Sequence, residues 1–159
     1  MFFEEFKKGD RIDHKAHHVL TSEGHAKFND LTGNTQAIHR DSDYCKIRFG
    51  YPDVVINGAY IAALTAGAAS VDTTNENAKP TPQVDSATFE HVAHPGDELT
   101  FVTFVDETVD NGRDKPYGTV RLTHYALRGT DIILALFRTT LVRKWPEKTE
   151  SEEKKNVTG

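Results

Sequence analysis

The sequence predicts an α+β fold in which an antiparallel sheet wraps around one long central helix of small residues. Two observations carry that expectation. Residues 57–72 have helical periodicity, yet Gly58, Ala59, Ala62, Ala63, Ala66, Ala69 and Ser70 leave the surface smooth enough to lie close to a neighbouring backbone. From residue 79 onward the period shortens, and four segments rich in Val, Thr, Phe, Tyr, Leu and Ile are separated by turn clusters. Helices first and a meander afterwards is the order of an α+β chain.

Taken in order, residues 11–20 read as a strand or extended entry segment. Thr21-Ser22-Glu23 offers a helix N-cap, Ala26, Phe28 and Leu31 supply an apolar stripe, and Gly33 is a natural stop. A loop runs from Asn34 to Arg40, and Asp41-Ser42-Asp43 caps a second short helix through Ile47. The long helix follows, with Tyr60, Leu64, Gly67 or Ala68, and Val71 at helical spacing. Strands are predicted over 84–92, 98–108, 117–127 and 131–144, broken at His94-Pro95-Gly96-Asp97, Asp110-Asn111-Gly112-Arg113 and Arg128-Gly129-Thr130-Asp131. Asn111-Gly112 is a strong hairpin signal. Leu99, Phe101, Thr103 and Val105 share one face of their strand, and Val102 and Phe104 the other. One domain over 1–146 accounts for this pattern, and the charged residues 147–159 read as a mobile tail.

Composition narrows the function classes. At 159 residues, with 37% hydrophobic and 27% charged, the chain has enough apolar material for one core. No apolar run approaches the roughly 18–20 residues that cross a bilayer, and the start Met1-Phe2-Phe3-Glu4-Glu5-Phe6 lacks a secretory signal pattern. A net charge of −5 argues against broad nucleic-acid binding, which depends on neutralising phosphates. The lone Cys45 has no internal disulfide partner, which suits a reducing cytoplasm.

The chemistry concentrates in two segments. Between Phe28 and Asp41 one helix ends and another begins, so polar side chains are held at fixed helix ends. His39 is the general-base candidate there, because imidazole titrates near neutral pH. Asn34 lies five residues earlier, placed to hydrogen-bond a water from the other side. Further on, Asn57-Gly58 opens the small-residue helix after the apolar run Val54-Val55-Ile56. A glycine in a first helical turn admits a ligand close to free N–H groups that favour developing negative charge, which is the recipe for an oxyanion site. His14, His17 and His18 cluster, but no Cys or paired carboxylate completes a metal site. His91 and His94 flank a turn and are expected at the surface.

In order along the chain, Thr32-Gly33-Asn34-Thr35-Gln36-Ala37-Ile38-His39-Arg40-Asp41, Phe49-Gly50, Asn57-Gly58 and His94-Pro95-Gly96-Asp97 resemble the MaoC-like (R)-hydratase family over roughly residues 5–144. The form with Asn34 in place of the usual aspartate, Asn57 opening the helix and Val-Asp-Thr-Thr at 71–74 is similar to its mesaconyl-CoA hydratase branch. Ala37 stands where that family has proline. The resemblance implies a hot-dog fold and syn addition of water across the α,β double bond of an enoyl-CoA. It casts His39 as base, Asn34 as water-orienting amide and Gly58 N–H, opened by Asn57, as the thioester-oxygen donor. It further implies Lys46 and Arg48 as contacts to the CoA phosphates, no cofactor beyond the coenzyme A of the substrate, and a homodimer or a larger assembly of dimers. Two other readings stand beside it: a hot-dog thioesterase, which needs a carboxylate placed to activate water, and a non-catalytic acyl-CoA-binding protein, favoured by the unprotonatable Asn34.

Overall fold

The entry segment forms β1, Arg11–Val19, and the second half supplies β2 (Gln83–Phe89), β3 (Glu98–Val109), β4 (Tyr117–Arg128) and β5 (Asp131–Arg143). In this computed structural model, which describes residues 1–79 and 83–146, they make one antiparallel sheet in the order β1-β3-β4-β5-β2. The predicted tail, 147–159, lies outside the described residues. Among the described residues, three α-helices precede β2: α1 (Ser22–Thr32), α2 (Ser42–Phe49) and α3 (Gly58–Asp72).

The long helix lies against the sheet, as its small residues require. Its inner face is Ile61, Thr65 and Ala69, one turn apart and buried, while Val71 is 70% exposed. The sequence stripe was therefore set about one position off, because smooth helices give almost no amphipathic contrast to read. Around α3 the core gathers Leu20, Leu99, Phe101, Ala126, Leu134 and Leu136. Burying each large aliphatic side chain contributes about 1.5–3 kcal/mol. Leu99, Phe101, Thr103 and Val105 all face inward, as the alternation predicts. A smaller cluster of Phe6, Val105, Val120, Leu122 and Val142 closes the other end.

Two connections behave differently from their sequence signals. The two-residue turn is Gly129-Thr130 between β4 and β5. Asn111-Gly112 instead sits in the wider loop 110–116, where the Asp110 carboxylate accepts from Gly112 N–H and the Lys144 ammonium holds both. At the sheet edge, all seven residues of β2 are exposed, including Val84 and Phe89. No helix among the described residues is long and apolar enough to cross a membrane.

Candidate active site

The Thr21 hydroxyl accepts from Gly24 N–H and starts α1, which ends at Gly33 in the left-handed conformation, φ 66°. The face that α1 buries is not Ala26, Phe28 and Leu31. Leu31 is 85% exposed, and the buried residues are His25 and Asn29, one turn apart. An apolar-stripe search passes over them because both are polar. The i, i+4 spacing of an imidazole and an amide was the available signal.

These two side chains meet the start of α3. Asn57 caps that helix: its Oδ1 accepts from Ala59 N–H at 2.9 Å. The cap fixes which way the amide points, so Nδ2 donates to Asn29 Oδ1 at 3.3 Å. Asn29 in turn directs its own Nδ2 at His25 Nε2, 3.1 Å, and at the His39 carbonyl, 3.3 Å. The Asn57 backbone N–H also donates to His25 Nε2, at 2.9 Å. Two donors on one ring nitrogen make it an acceptor, and the ring proton sits on Nδ1. Burial, reinforced by repulsion from His39 when that ring is protonated and from the Arg40 cation, pushes the pKa of His25 down from 6.5 to about 4, so this imidazole is neutral at physiological pH.

His39 closes a short 3-10 turn, Ala37–His39. Its Nδ1 lies 2.7 Å from the Val55 carbonyl oxygen, which only accepts, so Nδ1 carries the proton and the Nε2 lone pair remains for a ligand. The His25 and His39 rings stand 5.9 Å apart between centres and nearly perpendicular, at 87°. With Asn29, Arg40, Asp53 and Val54 they line a cleft of about 320 Å³. A larger cleft of about 700 Å³ lies at the far end of the sheet, around Arg113, Tyr117 and Trp145, but no histidine lines it.

The other predicted site residues fall in three places. Gly58 is the first residue of α3, and its N–H has no acceptor among the described residues, while those of Ala59, Tyr60 and Ile61 all go to Asn57. It stands one residue past the Asn57 cap and three past the carbonyl that anchors His39, beside the cleft rather than among its lining residues. A Cβ at Gly58 would come within 2.6 Å of the Phe89 ring, so only glycine lets that ring rest on the helix start. Asn34 is turned into its own loop: Oδ1 accepts from Gln36 N–H at 2.9 Å, and its carbonyl accepts from Arg40 Nε. It does not line the cleft. Lys46 and Arg48 are exposed on α2, Lys46 lying 3.8 Å from Asp43, and they too stand apart from the cleft lining.

Residues set aside on sequence grounds have structural partners. His14 bonds Asp72 and Thr103, and His17 and His18 lie near Glu98 and Tyr60. His94 is half-buried rather than at the surface, because its Nδ1 donates to the Val54 carbonyl and its ring packs on Tyr51. Cys45 is buried, with Sγ donating to the Ile38 carbonyl. Arg40, which reaches Asp30 at 2.8 Å, is the cation at the cleft rim that sequence reasoning did not single out.

A helix embraced by an antiparallel sheet is the hot-dog architecture, and solved structures with this fold superpose closely. A MaoC-domain dehydratase from Chloroflexus aurantiacus matches with TM-score 0.81 and 23% identity over 94% of this chain. The chain spans only 44% of that protein's length. A MaoC-like dehydratase from Rhodospirillum rubrum gives 0.78 and 18% identity, covering 92% of this chain and 99% of that one. A Mycobacterium tuberculosis protein described as having a double hotdog fold gives 0.77 and 19% identity, over 94% and 46%. At these identities the likeness establishes the fold. A search of curated proteins finds no match. Family membership comes from the sequence as a whole: the mesaconyl-CoA hydratase family model matches residues 1–158, and the chain belongs to that family.

Proposed function

We propose that the protein is a hydro-lyase that adds or removes water across the α,β double bond of an enoyl-CoA, with a mesaconyl-type acyl group as the substrate class. The observation that carries this reading is the pinned His39, whose Nδ1 is committed to Val55 and whose Nε2 lone pair faces a cleft beside an α3 start with an uncommitted Gly58 N–H. Its support is the family match over the whole chain.

In the hydration direction His39 Nε2 takes a proton from water, the hydroxyl adds to the β-carbon, and electron density moves to the thioester oxygen. Gly58 N–H holds that oxygen as it becomes enolate-like. The proton on His39 then passes to the α-carbon on the same face, which closes the balance as syn addition. Reversed, the same imidazole protonates the departing hydroxyl. Asn34 keeps only its amide N–H for a ligand, its oxygen being held by Gln36. The reaction calls on water and the thioester alone. Lys46 and Arg48, exposed on α2, are the cations assigned to the CoA phosphates. The bare edge of β2 is assigned to a second copy, pairing strand to strand into a dimer.

One observation favours a second reading. Asp53 places a carboxylate in the same cleft as His39, which a thioesterase requires, although its Oδ1 already accepts from Val54 N–H. A substrate panel separates the two. Crotonyl-CoA, mesaconyl-CoA and longer enoyl-CoAs lose their conjugated absorbance with the thioester intact under hydration, and release free thiol under thioester hydrolysis. Loss of neither on any substrate overturns both.

A further inference from the structure

We propose that His25 is a second catalytic residue of this cleft, a tautomer-locked imidazole whose Nδ1–H donates to the oxygen of the water that His39 activates. The inference rests on the hydratase reading above and assigns the water a holder that the sequence motif does not contain.

The lock begins at a helix cap. Ala59 N–H fixes the Asn57 amide, Asn57 fixes that of Asn29, and Asn29 together with the Asn57 N–H leaves His25 Nε2 purely an acceptor. The remaining polar atom of the ring, Nδ1–H, has no acceptor among the described residues, and unlike His124 Nε2 and Arg138 Nε it is not sealed in the interior: His25 lines the cleft and this N–H is open to it. A fixed donor open to a cleft is free to hold a ligand oxygen. The two ring centres are 5.9 Å apart and both rings line the same cleft, which brings His25 Nδ1–H and His39 Nε2 to one small space where a single water can accept from the first and donate to the second. Burial keeps His25 neutral, so it offers a proton to share and never one to transfer, and the two histidines divide the work between holding and abstracting. As the water acquires hydroxide character the Nδ1–H bond strengthens, and in dehydration it stabilises the departing hydroxyl. Asn34 is the alternative holder through its amide N–H, but it stands outside the cleft lining.

The test uses the intact chain and a pair of substitutions. His25→Gln keeps a carbonyl at the ε position to accept from Asn57 and Asn29 but removes the δ donor. Its turnover is expected to fall on the order of 100-fold, with KM for the enoyl-CoA, the melting temperature and the shape of the pH profile near those of the wild type. His25→Asn returns an N–H at the δ position and is expected to recover part of the rate even where it lowers stability. Nitrogen-15 spectra of the wild type, which need no variant to fold, should show the His25 proton on Nδ1. An Nε2-protonated His25, or an active wild type whose folded His25→Gln variant keeps full turnover, overturns this assignment and leaves the hydratase reading standing. A wild type that hydrates no enoyl-CoA ends both.

Discussion

The two ends of α3 each bury a chain of polar side chains containing two histidines, and only one of them opens to a ligand. At the N-terminal end, His25, Asn29, Asn57 and His39 connect to a cleft of about 320 Å³. At the C-terminal end, Asp72 meets His14 at 3.1 Å, His14 meets Thr103 at 2.7 Å, and Thr103 meets His124 at 2.7 Å. That second chain stops at His124 Nε2 and Arg138 Nε, both buried and without partners, around a void of about 10 Å³. Such a space holds one water and nothing larger. The far chain is wired as firmly as the near one. The Asp72 carboxylate only accepts, so with neutral imidazoles His14 Nδ1 carries the proton, its Nε2 accepts from the Thr103 hydroxyl, and that oxygen accepts from His124 Nδ1–H. Burying a histidine in a fixed network is therefore not what makes a site. An open cavity is.

Removing the imidazole at the open end tests that contrast most strongly. His39→Ala should lower hydration on the order of 10²–10⁴-fold, read from the conjugated absorbance, with the urea midpoint little moved. Full turnover in that variant would leave the open cluster as inert as the closed one. At the closed end the effect should be on stability alone. Thr103→Val strands one nitrogen on each of His14 and His124, and loses about 2–4 kcal/mol in urea unfolding, with turnover per folded molecule unchanged. A rate loss there would erase the distinction between the ends.

Acid should loosen both ends together. In the folded chain burial holds His25 at about 4 and, with Arg138 and His14 adding repulsion, His124 at about 3, against 6.5 for each in the unfolded chain. The unfolded state binds more protons below about 6.5, so the stability is complete above that pH and declines as the pH falls toward 4 and then 3. A urea midpoint constant from pH 7 to 4.5 would contradict it. The smallest effect belongs to the exposed cations. A double Lys46→Ala, Arg48→Ala variant should raise KM for a CoA ester about two- to five-fold, and less at high salt; an unchanged KM at low salt removes them from CoA binding.

Much of the fold was legible because strand alternation, Gly33 and the caps at Thr21 and Asp41 are local signals, and each holds in the structure. The strand bounds of β3, β4 and β5 differ from their predictions by a residue or so. At the candidate site, the cleft residue His39 could be picked out because a titrating group carries its chemistry in the residue type, and so could the helix start at Asn57-Gly58 beside the cleft. His25 and Asn29 were not, because their burial depends on α1 meeting the start of α3, a contact 28 to 32 residues away along the chain. Asn34 shows the reverse case: the motif marks its position, but the turn to Gln36, a purely local preference of Asn, decides where its oxygen goes.

The Asn57 cap has a consequence for which replacements this position tolerates over evolutionary drift. Ser or Asp would still begin α3, since both are good caps, but neither brings the amide N–H that orients Asn29. Selection on helix stability would accept all three, while selection on turnover would keep one. The permitted alphabet at residue 57 is thus narrower than capping alone requires, because the side chain that accepts from Ala59 must also donate to Asn29.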